Sequence, residues 1–313
     1  MQLLYALAEL RTPFLDAVLG ALTNCGGELV FMAAAIIVFW CVSKSCGYYM
    51  LTVGFVGTIV NQFLKLVFRI PRPWVKDPDF QIVESARAEA TGYSFPSGHT
   101  QNVFASFGCL GRWTKRTWLR AVCALLIVVT AFSRMYLGVH TPLDVGVSFG
   151  IGLVLVFALY PLFQDIDSHP NRLYLLFAGM AVLSAAYLLF AELWPFPADV
   201  DAANLASGRK NAYTLLGAVL GMTFAYWLDR RYVHFDVRAV WWAQVLKTVL
   251  GLAITIGLRA ALKAPLLALC GGHNVAHLIR YALMVIFAAG IWPMTFGWFG
   301  RLGRKKPASG ASD

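Results

Sequence analysis

The sequence predicts an all-α, polytopic membrane protein with about nine transmembrane helices. Of its 313 residues, 59% are hydrophobic and 13% charged, whereas a soluble domain is nearer half apolar and a quarter charged. Apolar runs of roughly 17 to 25 residues recur along the chain, each long enough as a helix to cross a hydrocarbon core about 30 Å thick. Arginine and lysine cluster in a few of the connections between these runs, as topology signals do.

The first residues, Met1 to Glu9, carry no basic n-region and do not read as a cleaved signal peptide. Thr12 suits an N-cap and Pro13 a first helical position, and Phe14, Leu15, Val18, Leu19 and Leu22 then form one apolar face. That helix is too short to span, so residues 1–27 are expected to hold an interfacial helix lying on the membrane. The expected spans are 28–43, 47–69, 97–112, 118–137, 143–163, 172–192, 211–229, 239–258 and 277–300. With nine spans, the basic connections 112–120 and 229–238 and the tail 301–313 share one side, which the positive-inside rule makes cytoplasmic. The N-terminus and the loops 70–96 and 138–142 then lie outside the cytoplasm, at a plasma membrane. Lys65, Arg69, Arg72 and Arg134 on the outer side dilute that bias. Residues 28–165 form the expected functional core, and 166–300 supply further spans without an assigned role.

A formal charge of +10 raises the question of nucleic acid, but the basic residues are scattered at helix ends instead of forming one stripe. Topology and anionic lipid account for them better, so membrane lipids are the expected partners and nucleic acid is not. The six cysteines form no C-x-x-C pair and no disulfide framework; only Cys25 and Cys270 could share an outer face. Oligomeric state is not written in the sequence.

Between positions 65 and 144 the chemistry concentrates. Lys65 closes the second span, and Arg72 stands between Pro71 and Pro73, whose fixed φ angles stiffen the segment that carries it. Pro96-Ser97-Gly98-His99 opens the third span, where free backbone N–H groups make an anion cradle. Ser133-Arg134 closes the fourth span; His140 and Asp144 open the fifth. If the ligand is a phosphate, Lys65, Arg72, Arg134, Ser97 and the Gly98 amide would stabilise the charge on its equatorial oxygens. Attack needs a neutral imidazole whose other ring N–H is held by a carboxylate, and His140 and Asp144 are four apart on one helix face. His99 has no carboxylate nearby in sequence and suits the acid that protonates the leaving oxygen. Each residue also has a plainer reading. Asp144 fits the N3 position of a helix capped by Thr141 with Pro142 at N1. Lys65, Arg69 and Arg72 fit membrane-edge anchors, the preferred reading for Arg69.

Taken together, Lys65-x6-Arg72-Pro73, Pro96-Ser97-Gly98-His99 and Ser133-Arg134-x5-His140-x3-Asp144 resemble the three-part signature of the type 2 phosphatidic acid phosphatase superfamily. The resemblance covers about residues 28 to 165. It implies a helical core whose site faces away from the cytoplasm, a phosphohistidine on His140, His99 as acid, the matching cations as phosphate ligands, and neither metal nor other cofactor. A lipid phosphate or pyrophosphate is the expected substrate, for example an isoprenoid pyrophosphate, phosphatidylglycerol phosphate or phosphatidic acid. Three alternatives stand beside it: a phosphotransferase of the same superfamily, a sugar phosphatase similar to glucose-6-phosphatase, and a non-catalytic transporter or scaffold. The last needs only cations and leaves His140, Asp144 and His99 without a purpose.

Two features outside the signature stand out. Lys247 lies inside the eighth span about two turns from its cytoplasmic end, where snorkelling is expected. His273 and His277 have metal-ligand spacing on a helix but no third ligand nearby in sequence.

Overall fold

The computed structural model describes residues 1–302, and among them the regular structure is helical throughout. Residues 303–313, most of the expected basic tail, lie outside the described residues. The helices are α1 (Gln2–Glu9), α2 (Pro13–Thr23), α3 (Glu28–Cys41), α4 (Lys44–Phe68), α5 (Pro73–Lys76), α6 (Gly98–Val103), α7 (Cys109–Trp113), α8 (Thr117–Tyr136), α9 (Pro142–Leu159), α10 (Pro170–Leu193), α11 (Ala202–Leu228), α12 (Trp241–Ala261), α13 (Lys263–Leu269), α14 (Val275–Ile286) and α15 (Phe296–Phe299). A π-helical turn, Phe104–Gly108, joins α6 to α7.

By length and composition six helical segments can cross a membrane, or seven if the bent α2–α3 pair counts as one broken span. The expected nine is therefore an approximate count, and the shortfall has local causes. Helix α3 has only 14 residues. The run 98–113 is interrupted by its π turn. Helix α11 is long enough, but its N-terminal half includes Arg209, Lys210 and Asn211. Arg209 donates to the Ala191 carbonyl at 3.0 Å and lies 3.5 Å from Glu192, while Lys210 is exposed; the helix packs against α10, α4 and α14.

Helix α4 is the axis of the molecule. Its side chains are buried from Cys46 through Phe55 with little regard to helical face, because α3, α6, α9, α10 and α11 surround it. Against α14, α11 packs through Gly217 and Gly221, where an added Cβ would collide with the backbone carbonyls of Leu278 and Ala282. Small residues at such crossings let two backbones approach closely without competing lipid contacts.

A second, smaller core roofs one end of the bundle. Leu4 of α1 packs there with Phe80, Ile82, Ala86, Ala90, Tyr136, Leu137 and Val139. Arg11 ties this roof down by donating to the backbone carbonyls of Tyr136 and Gln81, at 3.0 and 2.7 Å. Helix α2 is capped by Thr12 as expected, its hydroxyl accepting from the Leu15 amide. The helix packs on α8 and leaves Phe14, Leu15 and Val18 exposed. All six cysteines are free, so Cys25 and Cys270 do not form the bridge that a shared outer face would have allowed.

Candidate active site

Three helix ends converge beneath the roof, and the local sequence explains each. Helix α4 ends at Phe68, and Arg69, its cap in the left-handed region with φ 49°, turns the chain about one helical turn after Lys65. Helix α8 ends at Tyr136, and Gly138 follows it with φ 81°, a conformation that side chains disfavour. The turn lets the Arg134 carbonyl accept from the amides of both Val139 and His140, folding His140 back toward the end of α8. Helix α6 starts at Gly98, with Ser97 as N-cap accepting from the Thr100 amide. No atom lies within 4 Å of where a Gly98 Cβ would stand, so the first turn opens into free space.

At the centre, Arg72 Nη1 lies 2.9 Å from His140 Nε2. A guanidinium only donates, so Nε2 is the acceptor and the ring proton sits on Nδ1, facing Asp144. The remaining Arg72 nitrogens are fixed by the carbonyls of Gly92 and Thr91, and Nη1 also donates to Val139. Lys65 donates to the Tyr93 carbonyl. Burial and the neighbouring charges of Arg72, Arg134 and Lys65 push the His140 pKa well down, in the loop between α8 and α9.

Asp144 performs the plainer role expected of it. Its Oδ2 accepts from the Thr141 amide at 2.7 Å while its own amide donates to Thr141 Oγ1, a complete capping box. The same Oδ2 lies 3.5 Å from His140 Nδ1, close enough to attract the ring proton but too long for a hydrogen bond. Oδ2 also accepts from Ser94 Oγ at 2.6 Å, and the Asp144 carbonyl accepts from the Ser97 amide. One carboxylate thus joins α9, the 91–97 strand of loop and His140.

Arg134 is 0% exposed and makes one side-chain hydrogen bond, from Nη1 to Thr23 Oγ1 at 2.8 Å; its Nε and Nη2 have no partner. His99 Nε2, also buried, has none either. A buried cation left with free donors costs several kcal/mol on the order-of-magnitude scale unless an anion arrives to accept them. The expected site residues His140, His99, Asp144, Lys65, Arg72, Ser97, Gly98 and Arg134 therefore meet at one end of the bundle. Arg69, read as an anchor, follows α4 as its C-cap residue. Ser94 and Thr23 were not foreseen; neither carries a signal beyond being a hydroxyl, and Thr23 is 111 positions from Arg134.

Two family models and several curated proteins match the chain. The PAP2 superfamily model matches residues 45–168, and the model described as "PAP2 superfamily phosphatase, transmembrane extension" matches residues 213–305. Undecaprenyl-diphosphatase BcrC of Bacillus subtilis is 33% identical over 34% of this chain and 52% of its own. Phosphatidylglycerophosphatase B of the same organism is 28% identical, over 47% of this chain and 75% of its own. Sphingosine-1-phosphate phosphatase 1 of Mus musculus is 24% identical, over 62% of this chain and 47% of its own. The chain thus spans about half the length of the first and third of these relatives. No solved structure matches it significantly.

Proposed function

The chain belongs to the PAP2 superfamily, and from that premise we propose that it is a metal-independent phosphatase that hydrolyses a lipid-linked phosphate or pyrophosphate through a phosphohistidine on His140. The observation that carries the proposal is a neutral Nε2 on His140 ringed by Arg72, Lys65 and an Arg134 with two free donors. On binding, Arg72 Nη1 leaves Nε2 for a phosphate oxygen, and Arg134, Lys65, Ser97 and the Gly98 amide take the others. Nε2 then forms the N–P bond as the P–O bond to the lipid breaks, and His99 gives its proton to the departing oxygen. The Nδ1 proton stays aimed at Asp144 throughout. Water next attacks phosphorus, His99 takes its proton, and phosphate leaves with His140 neutral again.

Three cations already offset a phosphate dianion. Among the described residues no group of three or more histidine, cysteine or acidic side chains could hold a metal. The basic connections at the other end of the bundle favour an extracytoplasmic site. Labelling of single cysteines in the 74–90 loop of intact cells with an impermeant reagent tests the side; protection of that loop would reverse it. For the chemistry, brief reaction with a 32P-labelled lipid phosphate should leave acid-labile, base-stable label on the wild type and on His99→Ala, and none on His140→Ala. Label retained in His140→Ala would overturn the mechanism.

A further inference from the structure

Next to the phosphate site, and touching it through Gly98, is a chamber of about 140 Å³ between α3, α4, α6 and α11. Two of its walls are amides with nothing to bond: Asn61, 3% exposed, and Gln101, 1% exposed, each with both side-chain polar atoms unpartnered. Gly57 makes room for this, since a Cβ there would collide with the Gln101 amide. Glu28 is the chamber's only charged lining residue. Without a cation, and with a carboxylate, the chamber does not suit a second phosphate; it suits hydroxyl or ammonium donors. Sharing Glu28, Met32, Phe55, Thr214 and Leu215 with it is a second cavity of about 110 Å³, lined almost wholly by apolar groups. Its far walls include Ala218, Met284, Val285 and Ala288, within the stretch matched by the transmembrane extension. From Asn61 to Leu51 along α4, the two cavities run about 15 Å, half of a hydrocarbon core about 30 Å thick.

We propose that the two cavities form one substrate slot: the amide chamber takes hydroxyl or amine groups on the carbons next to the lipid's phosphate, and the apolar cavity, completed by the extension, takes a single hydrocarbon chain. This rests on the phosphatase reading and adds the class of lipid. The free amides of Asn61 and Gln101 select the polar backbone, because a chain lacking donors leaves them buried and unpaired. Binding of the tail by α11 and α14 gives the extension a role that the catalytic signature does not supply.

The test compares phosphate release by the purified full chain from three substrates. They are sphingosine 1-phosphate, which has an amine and a hydroxyl beside one chain; hexadecyl phosphate, which has the chain alone; and soluble p-nitrophenyl phosphate. Gln101→Leu and Asn61→Leu should each lower kcat/KM for sphingosine 1-phosphate at least tenfold, leaving the other two within about twofold. Ala288→Phe should lower both lipids and spare p-nitrophenyl phosphate. If a leucine variant does not fold, Gly57→Ala displaces the Gln101 amide without removing it and should show the same selective loss. Equal losses on all three substrates, or no loss of preference for the amino alcohol, would overturn the slot while leaving the phosphatase reading intact. Release from none of them by the wild type would remove that reading, and the slot with it.

Discussion

Two buried cations, one in the stretch matched to the phosphatase core and one in the extension, are treated differently by the fold. Arg134 is fully enclosed, yet only one of its guanidinium nitrogens is bonded. Lys247, 1% exposed, is bonded on every side: Nζ donates to the carbonyls of Trp40 at 2.9 Å and Val237 at 3.2 Å and sits 4.2 Å from the Phe296 ring centroid. Burial alone does not mark a functional charge, because the protein can satisfy one with its own backbone. A buried charge with idle donors marks the place where something else must bind.

The sharpest way to break this comparison lies at Asp144, which both closes the capping box of α9 and neighbours His140. Asn keeps a side-chain oxygen that can accept from the Thr141 amide, as Asp144 Oδ2 does, so Asp144→Asn should fold normally. Without the charge that holds the Nδ1 proton, however, turnover should fall by about 10⁴, the scale seen when an orienting aspartate is so replaced in a serine protease triad. Wild-type kcat in that variant would make Asp144 a cap and nothing more.

Arg134 comes next. Removing one donor aimed at developing charge costs about 10²–10³ in kcat, so Arg134→Ala should lose that much phosphate release. The same variant sharpens the reading of His140. Burial and three neighbouring cations hold the His140 pKa well below the usual histidine value near 6.5. Nε2 therefore stays unprotonated as the pH falls through that range, and kcat/KM should show no acidic limb there. Deleting the Arg134 charge removes one cause of the depression, so the limb should move upward in pH. A limb near 6.5 in the wild type, unmoved by Arg134→Ala, would contradict the cluster.

What could be read from the sequence was local. The Thr12 and Thr141 caps, the helix start at Gly98 and the pairing of His140 with Asp144 all lie within a few residues, so spacing alone predicts them. The anchoring of Arg72 on the 91–92 carbonyls, the Thr23 hydroxyl against Arg134 and the roof formed by α1 were not legible, because each joins segments tens of residues apart. The span count was only approximate because a hydropathy run does not show where a helix stops or bends: α3 has only 14 residues and a π turn interrupts the run 98–113. Lys247 was misread outright. Two turns from a helix end suggests snorkelling to water, but α3 and α15 close over it, and no sequence window contains Trp40, Val237, Lys247 and Phe296 together.

The smallest expected effect on catalysis, and the closest control for the comparison, is therefore at Lys247. Lys247→Met keeps the length and apolar stem of the side chain while removing the charge. Two buried carbonyls, of Trp40 and Val237, would then lose their donor, each at about 1–3 kcal/mol if no other group replaces it. The contact with Phe296, about 0.5–2 kcal/mol, would go as well. Relief of the buried charge's own desolvation cost offsets part of this, so a net loss of about 1–3 kcal/mol is expected, read as a lower melting temperature in detergent. Because no phosphate oxygen is expected near Lys247, kcat and KM below that temperature should match the wild type. A Lys247→Met protein that melts normally but fails to release phosphate would show that a satisfied cation can still be functional, and the rule drawn from Arg134 would not hold.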